Sequence, residues 1–100
     1  MIKVLIKKEE KFVSLKVTGH ANSAPHGEDL VCAAVSSVIT GGLNSLEHPE
    51  DFAIVLKEGN ASVEAKKDVS SHDEVVLETI ITGLKTIAEG NDKFITIKNL

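Results

Sequence analysis

Three side chains in the first third of the chain have the types and spacing for nucleophilic chemistry: His20, Asp29 and Cys32. They stand within Gly19-His20-Ala21 … Gly27-Glu28-Asp29-Leu30-Val31-Cys32-Ala33. Cys32 is the single cysteine of the sequence and falls just inside the start of an amphipathic helix, with Asp29 in the N-cap position. A helix N-terminus offers unpaired backbone N–H groups and a partial positive charge, and both favour a thiolate over a thiol. A thiolate beside an imidazole is the minimum equipment for nucleophilic cleavage of a peptide or ester. Asp29, Cys32 and Ser36 follow at i, i+3 and i+7, which puts them on one helix face, and Thr40 continues this polar column. The N–H groups around Cys32 can then point at a bound oxyanion.

Each of these residues also has a plainer role. A cysteine in the apolar run Val31-Cys32-Ala33-Ala34-Val35 is ordinarily an inert core residue. Asp29 works as a cap whether or not it orients His20, and Ser36 can bond back to a carbonyl of its own helix. His20, His26 and Cys32 are nearly evenly spaced, but the tight ligand pairs of zinc sites are missing, so no metal is expected. Gly41-Gly42 falls inside the helix, and no phosphate-binding glycine motif occurs. No cofactor is expected.

The elements that must position these groups follow from periodicity. Ile2–Lys8 places Ile2, Val4 and Ile6 on one strand face, and Phe12, Leu15 and Val17 belong to a second strand ending near Gly19. Glu9-Glu10-Lys11 joins the two as a hairpin turn. Gly19 to Glu28 is small, polar and turn-forming, and reads as a flexible loop bounded by Gly19 and Gly27 and including Ala21. A helix from about Leu30 to about Leu46 carries Val31, Val35, Val38, Ile39 and Leu46 at helical spacing. Phe52–Lys57 and Ala61–Lys66 form a second hairpin around Glu58-Gly59-Asn60. Ser71-His72-Asp73-Glu74 has the capping-box spacing and opens a second helix that stops at Gly90. Phe94–Lys98 alternates as a last strand. The expectation is an α+β fold of two layers, a mainly antiparallel sheet with two helices packed on one face, in the order ββαββαβ. Residues 1–100 read as one domain.

Of the 100 residues, 42% are hydrophobic and 26% charged, in the ordinary globular range. The N-terminal residues alternate with lysines, unlike a signal peptide, and no later run is long enough for a transmembrane helix. One cysteine allows no internal disulfide, which points to a cytoplasmic setting. The net charge is −4, and Tyr and Trp are absent. All basic residues are lysines, so the groups that read guanine and stack on bases are missing, and no direct nucleic-acid binding is expected. An acidic chain suits a basic partner better.

The run from Gly19-His20-Ala21 through Gly27-Glu28-Asp29-Leu30-Val31-Cys32-Ala33-Ala34-Val35-Ser36 resembles the ribosomal-processing cysteine protease family Prp. Chain length and element order are similar to that family over nearly the whole sequence. The resemblance implies a cytoplasmic homodimer that removes a short N-terminal extension from a large-subunit ribosomal protein precursor. It implies cleavage after aromatic residues. Cys32 becomes the nucleophile, His20 the general base, and Asp29 and Ser36 supporting residues. Two readings from other classes stay open. A non-catalytic ribosome-associated binding module would tolerate Cys32→Ala, and a thiol sensor would oxidise reversibly at Cys32.

Overall fold

Alternation of apolar residues with lysines builds the first strand, β1 (Ile2–Lys8), and β2 (Phe12–Thr18) returns antiparallel to it. The computed structural model describes residues 1–22, 24–25 and 29–100. After β2 come α1 (Leu30–Leu43), a 3-10 turn over Pro49–Asp51, β3 (Phe52–Lys57), β4 (Asn60–Ala65), α2 (Ser71–Glu89) and β5 (Ile95–Asn99). The order is ββαββαβ, as the periodicity predicts. The sheet runs β3-β4-β2-β1-β5, and its pairings are antiparallel except β1 with β5, which is parallel. A parallel neighbour needs a long crossover, and here the chain from β4 supplies it through α2.

Register fixes the two faces of the sheet. Val4 lies opposite Val17 and Ile97, Leu15 opposite Ile6 and Val63, and Val63 opposite Ile54. These side chains share the face covered by both helices, where α1 contributes Val31, Val35, Ile39 and Leu43, and α2 contributes Val76, Leu77, Ile80, Ile81 and Leu84. Burying a side chain such as Leu77 or Leu84 contributes about 2 kcal/mol. Phe12 is buried too, although it is out of phase with Leu15 and Val17. A β-bulge between Lys7 and Lys8 absorbs the extra residue, and Phe12 turns inward to meet Phe52 edge-on at 6.3 Å.

Glycines set the distance between the helices. A Cβ at Gly42 would run into Ile80, and one at Gly83 would lie 2.8 Å from Val38 Cγ1. Gly41 faces open space, so close packing through Gly42 is the structural use of the Gly41-Gly42 pair.

Strands β4 and β5 each lie one residue away from the expected Ala61–Lys66 and Phe94–Lys98, and two helix boundaries differ for a structural reason. The first helix stops at Leu43 rather than near Leu46, with the Asn44 N–H turned back to Thr40 O. Leu46 is still buried, but from a turn. The cap of α2 is Ser70, whose Oγ accepts from the Asp73 N–H at 3.2 Å, not Ser71.

One buried carboxylate explains both. Asp73 is fully buried and accepts the Glu47 N–H at 2.7 Å and the His48 N–H at 3.0 Å. It pins the chain that leaves α1 onto the start of α2. Glu74 is equally occupied, accepting the Phe12 N–H at 3.1 Å. Asp73→Ala leaves two amides without their charged acceptor, and the expected loss of unfolding free energy is about 3 kcal/mol. Asp73→Asn keeps one acceptor and loses roughly half of that. Urea denaturation of the two variants measures both values, and an Ala variant as stable as the parent would contradict this assignment.

Candidate active site

The start of α1 is organised by Asp29. Its Oδ1 accepts the Val31 N–H at 3.0 Å and the Cys32 N–H at 3.1 Å, so Asp29 is the N-cap that the sequence predicts. The same bonds engage the Cys32 N–H with its own cap. Cys32 is half-buried, one side packed on the core and the other facing a cleft of about 750 Å³. Its Sγ accepts the backbone N–H of Ala21 at 3.3 Å. That contact joins the segment after β2 to the head of α1 across eleven residues.

Gly19 and its neighbours bring His20 to the cleft. Gly19 has φ +95°, where only glycine is unstrained, and a Cβ there would strike Met1 O. Its N–H donates to Gly59 O at 3.0 Å, which ties this segment to the β3–β4 turn. His20 O accepts the N-terminal ammonium of Met1 at 2.6 Å. The imidazole rests on Gly59: a Cβ added there would lie 2.8 Å from Nε2 and 3.1 Å from Cε1. Asn22 takes a left-handed φ of 56°, which asparagine tolerates, and turns the chain onward.

His20, Asp29, Cys32 and Ser36 all line this one cleft, with Thr40 beyond Ser36 on the same helix face. Among the described residues Cys32 Sγ is paired with Ala21 N–H, while the His20 ring lies against Gly59. Of the segment expected to be flexible, Gly19 is held by Gly59, and Ala21 is 3% exposed. Gly27 and His26 lie outside the described residues. No group of three or more His, Cys, Asp or Glu converges as a metal site among the described residues.

The opposite wall is what sequence reasoning missed. It comes from the β3–β4 hairpin, whose residues 56–61 line the cleft, with Leu56 and Ala61 on the inward sheet face. The sequence marks these residues as a hairpin and nothing more. The available signal is Leu56, 49% exposed although it lies on the inward sheet face opposite Ala61. An apolar side chain exposed at a cleft is more informative than one exposed singly. With Val35 and Ile39 of α1, Leu56 makes the cleft apolar beside a thiol, an imidazole and a hydroxyl. Such a lining can take a large apolar side chain and hold its backbone against Cys32.

The chain is similar to proteins of one known family. Residues 1–96 match the family model described as cysteine protease Prp. The ribosomal processing cysteine protease Prp of Mycoplasma pneumoniae is 31% identical over 97 residues, covering 95% of each chain. The protein of the same name from Staphylococcus aureus is 26% identical over 93 residues, covering 88% of this chain and 87% of its own. The chain also superposes on the crystal structure of the S. aureus ribosomal processing protease Prp in complex with a covalently linked product peptide. The TM-score there is 0.90 with 24% identity over the whole of both chains, a likeness of fold.

Proposed function

The chain belongs to the family of the ribosomal-processing cysteine protease Prp, and from that premise we propose that Cys32 and His20 cleave an N-terminal extension from a large-subunit ribosomal protein precursor. The observation that carries this reading is the convergence on one cleft of Cys32, His20, Ser36 and an apolar wall. The S. aureus relative's complex with a covalently linked product peptide supports covalent catalysis on this fold.

The chemistry runs through two acyl transfers. His20 takes the proton of the Cys32 thiol, and the thiolate attacks the carbonyl carbon of the scissile peptide. The C–N bond breaks, the amine leaves with the proton returned by His20, and the extension stays on Sγ as a thioester. His20 then deprotonates water, which attacks the thioester, releases the extension as a carboxylic acid and restores the thiol. The Ala21 N–H, which donates to Sγ, serves the oxyanion. Asp29 holds the helix head and so the position of Cys32, and Ser36 binds the substrate one turn further on. An aromatic side chain before the scissile bond packs between Leu56 and Ile39. Substrate entry shifts the His20 ring from Gly59 towards Cys32, a closing motion of the kind that completes many active sites.

The enzyme acts in the cytoplasm as a homodimer. Its single thiol suits a reducing compartment, and among the described residues no helix is long and apolar enough to cross a membrane. The edge strand β3, with Val55 exposed on its outward face, supports contact with a second copy. A precursor peptide bearing the extension, incubated with the purified protein, should give two products whose masses sum to the peptide plus one water. Unchanged substrate that nevertheless binds in the micromolar range would favour a binding module instead.

A further inference from the structure

The outward face of the sheet carries a charge opposite to that of the chain. With a net charge of −4, the molecule still places Lys3 and Lys7 of β1, Lys16 of β2 and Lys98 of β5 on the face turned away from the helices. Register concentrates them. Leu5 lies directly opposite Lys16 on one side and Lys98 on the other, while Lys3 and Lys7 are two residues away along its own strand. Strands lie about 4.8 Å apart and alternate residues of a strand about 6.8 Å apart, so the four amines surround one leucine within a single patch.

All four lysines are exposed, and among the described residues none has a carboxylate within ion-pair distance. Glu64 of β4, two strands from Leu5, is the acidic residue that the strands place on this face, and Lys57 of β3 adds a further cation. Unpaired like charges held this close repel one another, and a polyanion laid across them relieves that repulsion.

We propose that this face docks a nucleic-acid strand through its phosphate backbone. The closely spaced charges of such a strand can meet several of the four amines at once and release counterions. This departs from the expectation from composition, because the lysines cluster only through strand register. The absence of Arg, Tyr and Trp still removes base reading and stacking, so binding is independent of sequence and made of phosphate contacts alone. A lipid surface fits less well, because Leu5 is half-buried between the lysines, and the exposed apolar side chains of this face, Val55 and Leu100, stand at its margins rather than as a continuous inserting patch. The choice of RNA as probe rests on the proposed ribosomal substrate; the docking does not.

The test is fluorescence anisotropy of labelled oligo(U) of about 20 nucleotides, longer than the usual single-strand site, titrated with the full chain. Saturable binding is expected at about 50 mM salt, weakening roughly 20- to 50-fold at about 200 mM if three or four phosphates are neutralised. A variant with Lys3, Lys7, Lys16 and Lys98 all replaced by Gln should lose at least tenfold in affinity and flatten the salt slope. Its circular dichroism and peptide cleavage should match the parent, and Lys16→Gln/Lys98→Gln, a milder pair, should show part of the loss. No binding at low salt overturns the proposal, as does binding unchanged in both variants. So does binding of phosphatidylserine vesicles in place of oligo(U), or self-association that the four substitutions abolish.

Discussion

Replacing Cys32 by alanine should lower the rate of precursor-peptide cleavage by about 10⁴-fold or more, while the peptide still binds. The size follows from the role: the first bond to form is the one from Sγ to the carbonyl carbon, and no other thiol exists in the chain to form it. Loss of a nucleophile leaves only the rate that positioning and oxyanion contacts provide. The fold should tolerate the change, because Sγ is half-buried and its partner among the described residues is a single N–H, that of Ala21. The expected stability cost is about 1 kcal/mol, small enough for a matched thermal melt to separate it from the catalytic loss. Cleavage surviving in this variant would remove Cys32 from the chemistry and restore the inert-core reading of an apolar helix.

His20→Ala should cost roughly 10²- to 10⁴-fold in kcat, the usual range for a general acid–base group. Its effect is separable from that of Cys32→Ala, because the nucleophile is still present. Added imidazole should restore part of the rate to His20→Ala and none to Cys32→Ala. Gly59→Ala gives a third, intermediate case. It keeps the histidine but sets a methyl 2.8 Å from Nε2, at a φ of +73° that also disfavours a side chain. The ring must move, and kcat should fall while the imidazole has no effect. Equal activity of His20→Ala and the parent would leave the thiolate without a base.

Much of this fold is legible in the order of its residues. The alternation Ile2, Val4, Ile6 marks β1 and its buried face together, because a strand has only two faces to choose between. The polar column Asp29, Cys32, Ser36 against the stripe Val31, Val35, Ile39 marks both the helix and the side that faces the cleft. The end of α1 was not legible in the same way. Leu46 keeps helical spacing and is buried, yet what stops the helix is Asp73, far along the chain, drawing the Glu47 and His48 amides away from it. The cap of α2 was displaced for a related reason. Ser70 and Ser71 each precede an acidic residue by three positions, and only the tertiary engagements of Asp73 and Glu74 decide between the two patterns.

The site divides along the same line. His20, Asp29 and Cys32 lie close in sequence, and the helix period relates them directly. The β3–β4 wall with Leu56 and Gly59 is set by strand order, because β4 pairs with β2 and so brings its turn beside Gly19. Nothing local in Lys57-Glu58-Gly59-Asn60 announces that neighbour. The lysine face is similar: each residue obeys its own strand's alternation, but their convergence on Leu5 exists only once β2 and β5 flank β1.

The most direct test of the thioester at Cys32 is intact mass measurement of the enzyme, quenched in acid during turnover of the precursor peptide. The mechanism predicts a transient species heavier by the mass of the released extension less one water, with the added mass on the proteolytic fragment that contains Cys32. Product accumulating without any such species, together with undiminished cleavage by Cys32→Ala, would contradict it.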